Sequence, residues 1–112
     1  MEKTNLEMIK GDTLSFAFEV EFDEAPQKLE KAVFTCKTNF DDGDDVFKKT
    51  LGNGITFSKQ ERNKMYYVVR IAPEDTKDIE AGHYFYDMQI ELNSDVFTIL
   101  SGALKVRYGI TE

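Results

Sequence analysis

Thr13-Leu14-Ser15-Phe16-Ala17-Phe18-Glu19-Val20-Glu21-Phe22 alternates without a break. Leu14, Phe16, Phe18, Val20 and Phe22 take the even positions; Thr13, Ser15, Ala17, Glu19 and Glu21 take the odd ones. Successive side chains of a strand point to opposite faces, so this stretch is a half-buried strand with an acidic outer face. A helix would scatter the same apolar residues around its circumference.

The same period recurs outward along the chain. Lys64 to Ile71 places Met65, Tyr67, Val69 and Ile71 on one face. Tyr84 to Leu92 sets Tyr84, Tyr86, Met88, Ile90 and Leu92 against Asp87, Gln89 and Glu91. Val96 to Tyr108 carries Val96, Leu100, Leu104, Val106 and Tyr108, with Gly102 in its middle. A glycine there marks a bulge or a close backbone approach. Ala32 to Lys37 points Ala32, Phe34 and Cys36 inward, while Asn5 to Ile9 and Ile55 to Phe57 are shorter strands. Val46 to Leu51 reads equally as strand or loop. Turn residues separate the runs at Lys10-Gly11-Asp12, Asp23-Glu24-Ala25-Pro26, Asp41-Asp42-Gly43-Asp44-Asp45, Gly52-Asn53-Gly54 and Gln60-Glu61-Arg62-Asn63. Pro73 to Glu80 has a proline suited to a first helical position but no apolar stripe, so one helical turn is expected there. Seven to eight short strands at this spacing predict one all-β domain over residues 1–112, an antiparallel sandwich or barrel, with an antiparallel β-sandwich the expected form.

Composition sets the outer limits. The chain has 112 residues, 14 basic and 21 acidic, and hence a net charge of −7. Surface scaling buries about two-thirds of an unfolded chain this size, enough for one core without metal or disulfide staples. A hydrophobic content of 41% argues against intrinsic disorder. The acidic balance is a poor match for a phosphate backbone or an anionic lipid surface, so neither nucleic acid nor membrane is an expected partner. No stretch approaches a membrane span, and the first residues hold no apolar signal core. Cys36 is the only cysteine, which excludes an intrachain disulfide and fits synthesis in a reducing cytosol.

Few residues invite chemistry. Asp41, Asp44 and Asp45 around Gly43 are the metal candidates, since Ca²⁺ takes several carboxylate oxygens from a flexible loop. Their spacing does not match the EF-hand loop, and a solvated hairpin tip is the plainer reading. His83 is the only histidine, so it has no second imidazole for a zinc site, and it falls on a polar strand face. Cys36 falls inward and reads as core. Glu19 and Glu21 project side by side rather than across a cleft, and a small sandwich offers little cleft. No nucleophile elbow, phosphate loop or metalloprotease helix is present. The expectation is a non-enzyme without cofactor or metal. Tyr66, Phe85 and Phe97 are predicted on outer faces, where alternation expects polar residues; together they would form an interaction surface.

Two resemblances sharpen this. Glu80-Ala81-Gly82-His83-Tyr84-Phe85-Tyr86 resembles the segment that opens the F strand of immunoglobulin domains, where a tyrosine hydroxyl turns back onto the backbone. Tyr84 would be that tyrosine, and Tyr86 stands where the second cysteine would be. The alternative is a plain, tyrosine-rich strand start. The chain as a whole resembles small phage and prophage β-sandwich proteins, similar in pattern to the N-terminal domain of phage upper baseplate proteins. The residues that carry this are Lys10-Gly11-Asp12-Thr13, the strand 32–37, Gly52-Asn53-Gly54-Ile55-Thr56-Phe57, the segment 81–90 and the strand 99–106. The resemblance implies an immunoglobulin-like sandwich. It also implies a virion structural role in a tail or baseplate, contacts with other virion subunits, and a homo-oligomeric ring. Two other readings stay open. One is a module binding a carbohydrate or host-surface ligand, assisted by Ca²⁺ at Asp41–Asp45. The other is an acidic mimic of nucleic acid that inhibits a host enzyme.

Overall fold

The computed structural model describes residues 2–39 and 45–109. Nine strands and one short helix occur among them: β1 (Glu2–Lys3), β2 (Leu6–Ile9), β3 (Leu14–Glu21), β4 (Lys31–Lys37), β5 (Asp45–Leu51), β6 (Gly54–Glu61), β7 (Lys64–Ile71), α1 (Pro73–Thr76), β8 (Gly82–Leu92) and β9 (Asp95–Arg107). The hydrogen-bonded order is β1-β9-β8-β4-β5-β6-β7-β3, with β2 also on β9. The path curls round one core until β3 and β9 almost meet, giving a nearly closed, barrel-like sheet.

The all-β expectation holds, with three corrections. The strand count exceeds seven to eight, because the N-terminal strand breaks at Thr4 and Asn5 into β1 and β2. The sheet is not purely antiparallel: β1 and β2 run parallel to β9, and β5 touches β6 in parallel at Thr50–Gly54 and Leu51–Ile55. Alternation along a strand shows that it is half-buried but carries no record of its neighbour's direction. The expected short strand at Ile55–Phe57 extends to Glu61, because it forms a hairpin with β7.

The inward positions were read correctly from period two. Phe18, Phe34, Cys36, Tyr67, Val69, Ile71, Tyr86, Met88, Ile90, Leu104 and Val106 are all buried. Met8, Leu29, Ile55 and Met65 join them. Phe34 lies at the centre, stacked on Tyr86 at 5.0 Å between ring centroids and tilted against Phe16 at 5.7 Å. Such pairs add about 1 kcal/mol each beyond the area they bury. The helical turn after β7 begins with Pro73 and is closed by Asp75, whose carboxylate accepts from the Ala72 N–H at 2.7 Å. A few residues on, the Tyr84 hydroxyl donates to the Glu80 carbonyl at 2.6 Å. That bond pins the corner between α1 and β8, with the hydroxyl turned back as the sequence suggested.

Gly102 marks a close approach rather than a bulge. A Cβ there would lie 2.1 Å from the Thr4 carbonyl oxygen. That oxygen also accepts from the Tyr86 hydroxyl at 2.5 Å, and the Thr4 N–H donates to the Ser101 carbonyl at 2.8 Å. The bulge in β9 falls earlier. Met88 pairs with Leu100 but Gln89 pairs with Thr98, so Ile99 is the extra residue.

Candidate functional site

The Ile99 bulge decides the most conspicuous surface feature. An extra residue reverses the facing of everything before it. Phe97 therefore pairs with the buried Ile90 and shares its inner face, though it stays 49% exposed where the sheet is open, while Val96 turns out, 59% exposed. The expectation that Phe97 faces outward and Val96 inward is corrected by this phase change. A signal for it was present: Val96-Phe97-Thr98-Ile99-Leu100 pairs its apolar residues in doublets, which unbroken alternation cannot produce.

Phe97 lies in a cleft of about 930 Å³ between β3 and the β8–β9 hairpin, where the sheet fails to close. One wall is the apolar row of β3, chiefly Phe16, Phe18, Val20 and Phe22; the other is Ile90, Leu92, Phe97 and Leu100. Phe16, Val20, Phe22 and Leu100 were expected in the core, and they are only partly buried because none of the described residues covers them from this side. The expectation of little cleft is thus corrected as well. The charged side chains on the lining are Glu19, Glu21 and Asp23, at its mouth.

Tyr66, Phe85 and Phe97 do not form one patch. Tyr66 sits on the outer face of β7, opposite Glu19 and Lys59, with the Lys59 ammonium 5.0 Å from its ring centroid. Phe85 is on the outer face of β8 beside a hollow of about 20 Å³ shared with Thr35, Lys37 and Asn39, room for roughly one water. Phe97 alone reaches the cleft.

Asp45 begins β5 and is held by the ammoniums of Lys48 at 3.2 Å and Lys37 at 4.0 Å. Asp41 and Asp44 lie outside the described residues. Among the described residues no three His, Cys, Asp or Glu side chains gather as metal ligands would. His83 is exposed on β8.

Cys36 is fully buried, and burial pushes its thiol up from 9.0 to about 12. A thiol held protonated this way is a poor nucleophile. It also sets an alkaline limit. The unfolded chain ionises Cys36 near its ordinary value, whereas the fold keeps the proton, so its contribution to stability is complete below that value and falls as pH rises toward about 12. Native protein is expected to resist iodoacetamide at neutral pH. The urea midpoint is expected to drop between about pH 8 and 10.5, with a shallower drop in Cys36→Ala. Rapid native alkylation would contradict this.

No family model matches the chain, and no curated protein matches it. Among solved structures, a family 123 glycoside hydrolase from Clostridium perfringens superposes over 100% of this chain with a TM-score of 0.61 at 11% identity. The chain spans 24% of that enzyme's length. The extracellular domain of the voltage-gated sodium channel β4 subunit matches over 98% of this chain and 95% of its own, with a TM-score of 0.39 at 14% identity. A further structure of cell-adhesive sodium channel β subunits matches over 93% and 91%, with a TM-score of 0.44 at 13% identity. The likeness to the hydrolase is one of fold.

Proposed function

We propose that this chain is a non-enzymatic structural protein of the phage or prophage tail or baseplate type, acting through protein–protein contacts. The observation that carries the contact role is the cleft between β3 and β9. It is lined mainly by apolar side chains and open to solvent. An open apolar groove beside a strand that ends the sheet order suits an incoming chain segment. The ionisable groups along it are the carboxylates Glu19, Glu21 and Asp23 and the Tyr86 phenol, whose hydroxyl donates to the Thr4 carbonyl, rather than an acid, a base and a nucleophile converging on one point.

The domain reads most closely as an immunoglobulin-like sandwich. β3-β7-β6 run in the order B-E-D, and β9-β8-β4-β5 run in the order G-F-C-C′. The Tyr84–Glu80 bond stands at the corresponding corner. The stacked Phe34–Tyr86 pair joins the strands that correspond to C and F at the centre of the core. The tail or baseplate assignment rests on the resemblance of the strand and turn pattern. Its partners would be other virion subunits and copies of itself in a ring, neither nucleic acid nor membrane. It would be made in the bacterial cytoplasm and carried with the virion.

Light scattering after size exclusion tests the ring. A defined multiple of 12.9 kDa is expected. A clean monomer at every concentration would contradict self-assembly.

A further inference from the structure

β3 has a second property besides its apolar face. The Phe22 N–H donates to the Asn63 carbonyl at 2.9 Å, and the Phe22 carbonyl accepts from the Asn63 side-chain amide at 2.7 Å. From that pair the β3–β7 register runs unbroken from Glu21–Lys64 to Leu14–Ile71. In an antiparallel pair the backbone groups alternate strictly between the partner and the opposite side. Those of Phe16, Phe18, Val20 and Phe22 therefore bond toward β7. Those of Ser15, Ala17, Glu19 and Glu21 point to the cleft edge, where β3 ends the sheet order. Among the described residues, a row of donors and acceptors without a strand partner thus runs beside an apolar trough.

We infer that this edge receives an extended, cationic segment of another protein, which adds a strand between β3 and β9. Backbone bonds to β3 supply part of the affinity, and alternate side chains entering the trough supply specificity. The charge selects the partner. Glu19, Glu21 and Asp23 line the cleft and outnumber the basic groups beside them, the Lys64 ammonium 3.9 Å from the Glu19 carboxylate and Arg62, which shares a neighbouring hollow with Glu21. A segment with apolar residues facing Phe18, Val20 and Leu100, and Lys or Arg between them, matches both layers. A second copy of β3 does not, because edge-to-edge pairing would set its Glu19 and Glu21 against their own counterparts. The inference rests on the contact role proposed above and names its partner.

Two blocked peptides as long as β3 test it, both with valine at alternate positions, one with lysine between and one with glutamate. Calorimetry on the full chain is expected to find the lysine peptide bound roughly tenfold or more tightly than the glutamate one, with the difference shrinking as salt is raised. Glu19→Lys with Glu21→Lys is expected to reverse the preference. Ala17→Pro removes a donor from the free edge and none from the β7 ladder, so it is expected to weaken binding without lowering the melting temperature. Equal binding of both peptides, binding of neither, or full affinity in a folded Ala17→Pro would overturn the inference. A ring in light scattering with no lysine-peptide binding would overturn this inference alone. A monomer that binds the lysine peptide would overturn the ring and support the cleft.

Discussion

Gly102→Ala is expected to lower the melting temperature by roughly 10 °C, an effect out of proportion to one methyl group. The added Cβ would meet the Thr4 carbonyl oxygen at 2.1 Å and its carbon at 2.8 Å, and both are backbone. No rotamer can relieve that. The Thr4–Asn5 link must move off β9, and three hydrogen bonds move with it: Thr4 N–H to Ser101, Tyr86 hydroxyl to Thr4, and Ala103 N–H to the Asn5 side chain. Overpacking and lost bonds together suggest a cost of about 2–4 kcal/mol. The change is also expected to free β1 before β2, since β2 has its own register from Leu6–Leu104 to Ile9–Arg107. Thermal melts of Gly102→Ala and Gly102→Val check this. A melting temperature within about 2 °C of the parent would show that the N-terminal link does not cross β9 here.

Asp75→Ala and Lys49→Met are each expected to cost about 3–5 kcal/mol, while the double variant costs well under their sum. The Lys49 ammonium meets the Asp75 carboxylate at 2.5 Å, and the two side chains are only 12% and 13% exposed. This pair ties β5 to α1. The lysine stem runs over Gly54, where a Cβ would lie 2.5 Å from its Cδ. Removing Asp75 leaves a largely buried ammonium unpartnered and also takes the acceptor from the Ala72 N–H. Methionine at 49 keeps the apolar stem over Gly54 but leaves the equally buried Asp75 carboxylate with the Ala72 N–H and no cation. Removing one partner strands the other's charge, whereas removing both strands neither, so the losses are coupled. Urea midpoints of both variants and of the double variant check the coupling. Additive losses would contradict it.

What could be read from the residues follows from which forces act locally. The inner row of β3, the inner row of β8 and the burial of Cys36 all follow from alternation, which each strand carries within itself. Gly102 was legible as a bulge or a close approach, and only the strand pairing decides for the second. The helical turn at Pro73 was legible from short-range chemistry, and the turned-back Tyr84 hydroxyl was one of two readings, the one implied by the resemblance of residues 80–86 to the start of an immunoglobulin F strand. The cleft was not. It depends on β1 and β2 docking on β9 rather than β3, a choice between edges far apart in sequence. The facing of Phe97 depends on one residue, Ile99, that breaks the phase of a thirteen-residue strand. Tyr66 and Phe85 were sensed as unusual outer aromatics, yet only the strand order reveals that β4, β5 and β6 stand between their strands.

The central claim is geometric: β3 presents an unpaired edge to an apolar trough. Residue-resolved amide hydrogen exchange of the free chain measures this directly. The account requires a sawtooth, with the amides of Phe16, Phe18, Val20 and Phe22 protected and those of Ser15, Ala17, Glu19 and Glu21 exchanging close to open-chain rates. Uniform protection along β3 would mean that the edge is already covered, and the proposed docking face would not exist.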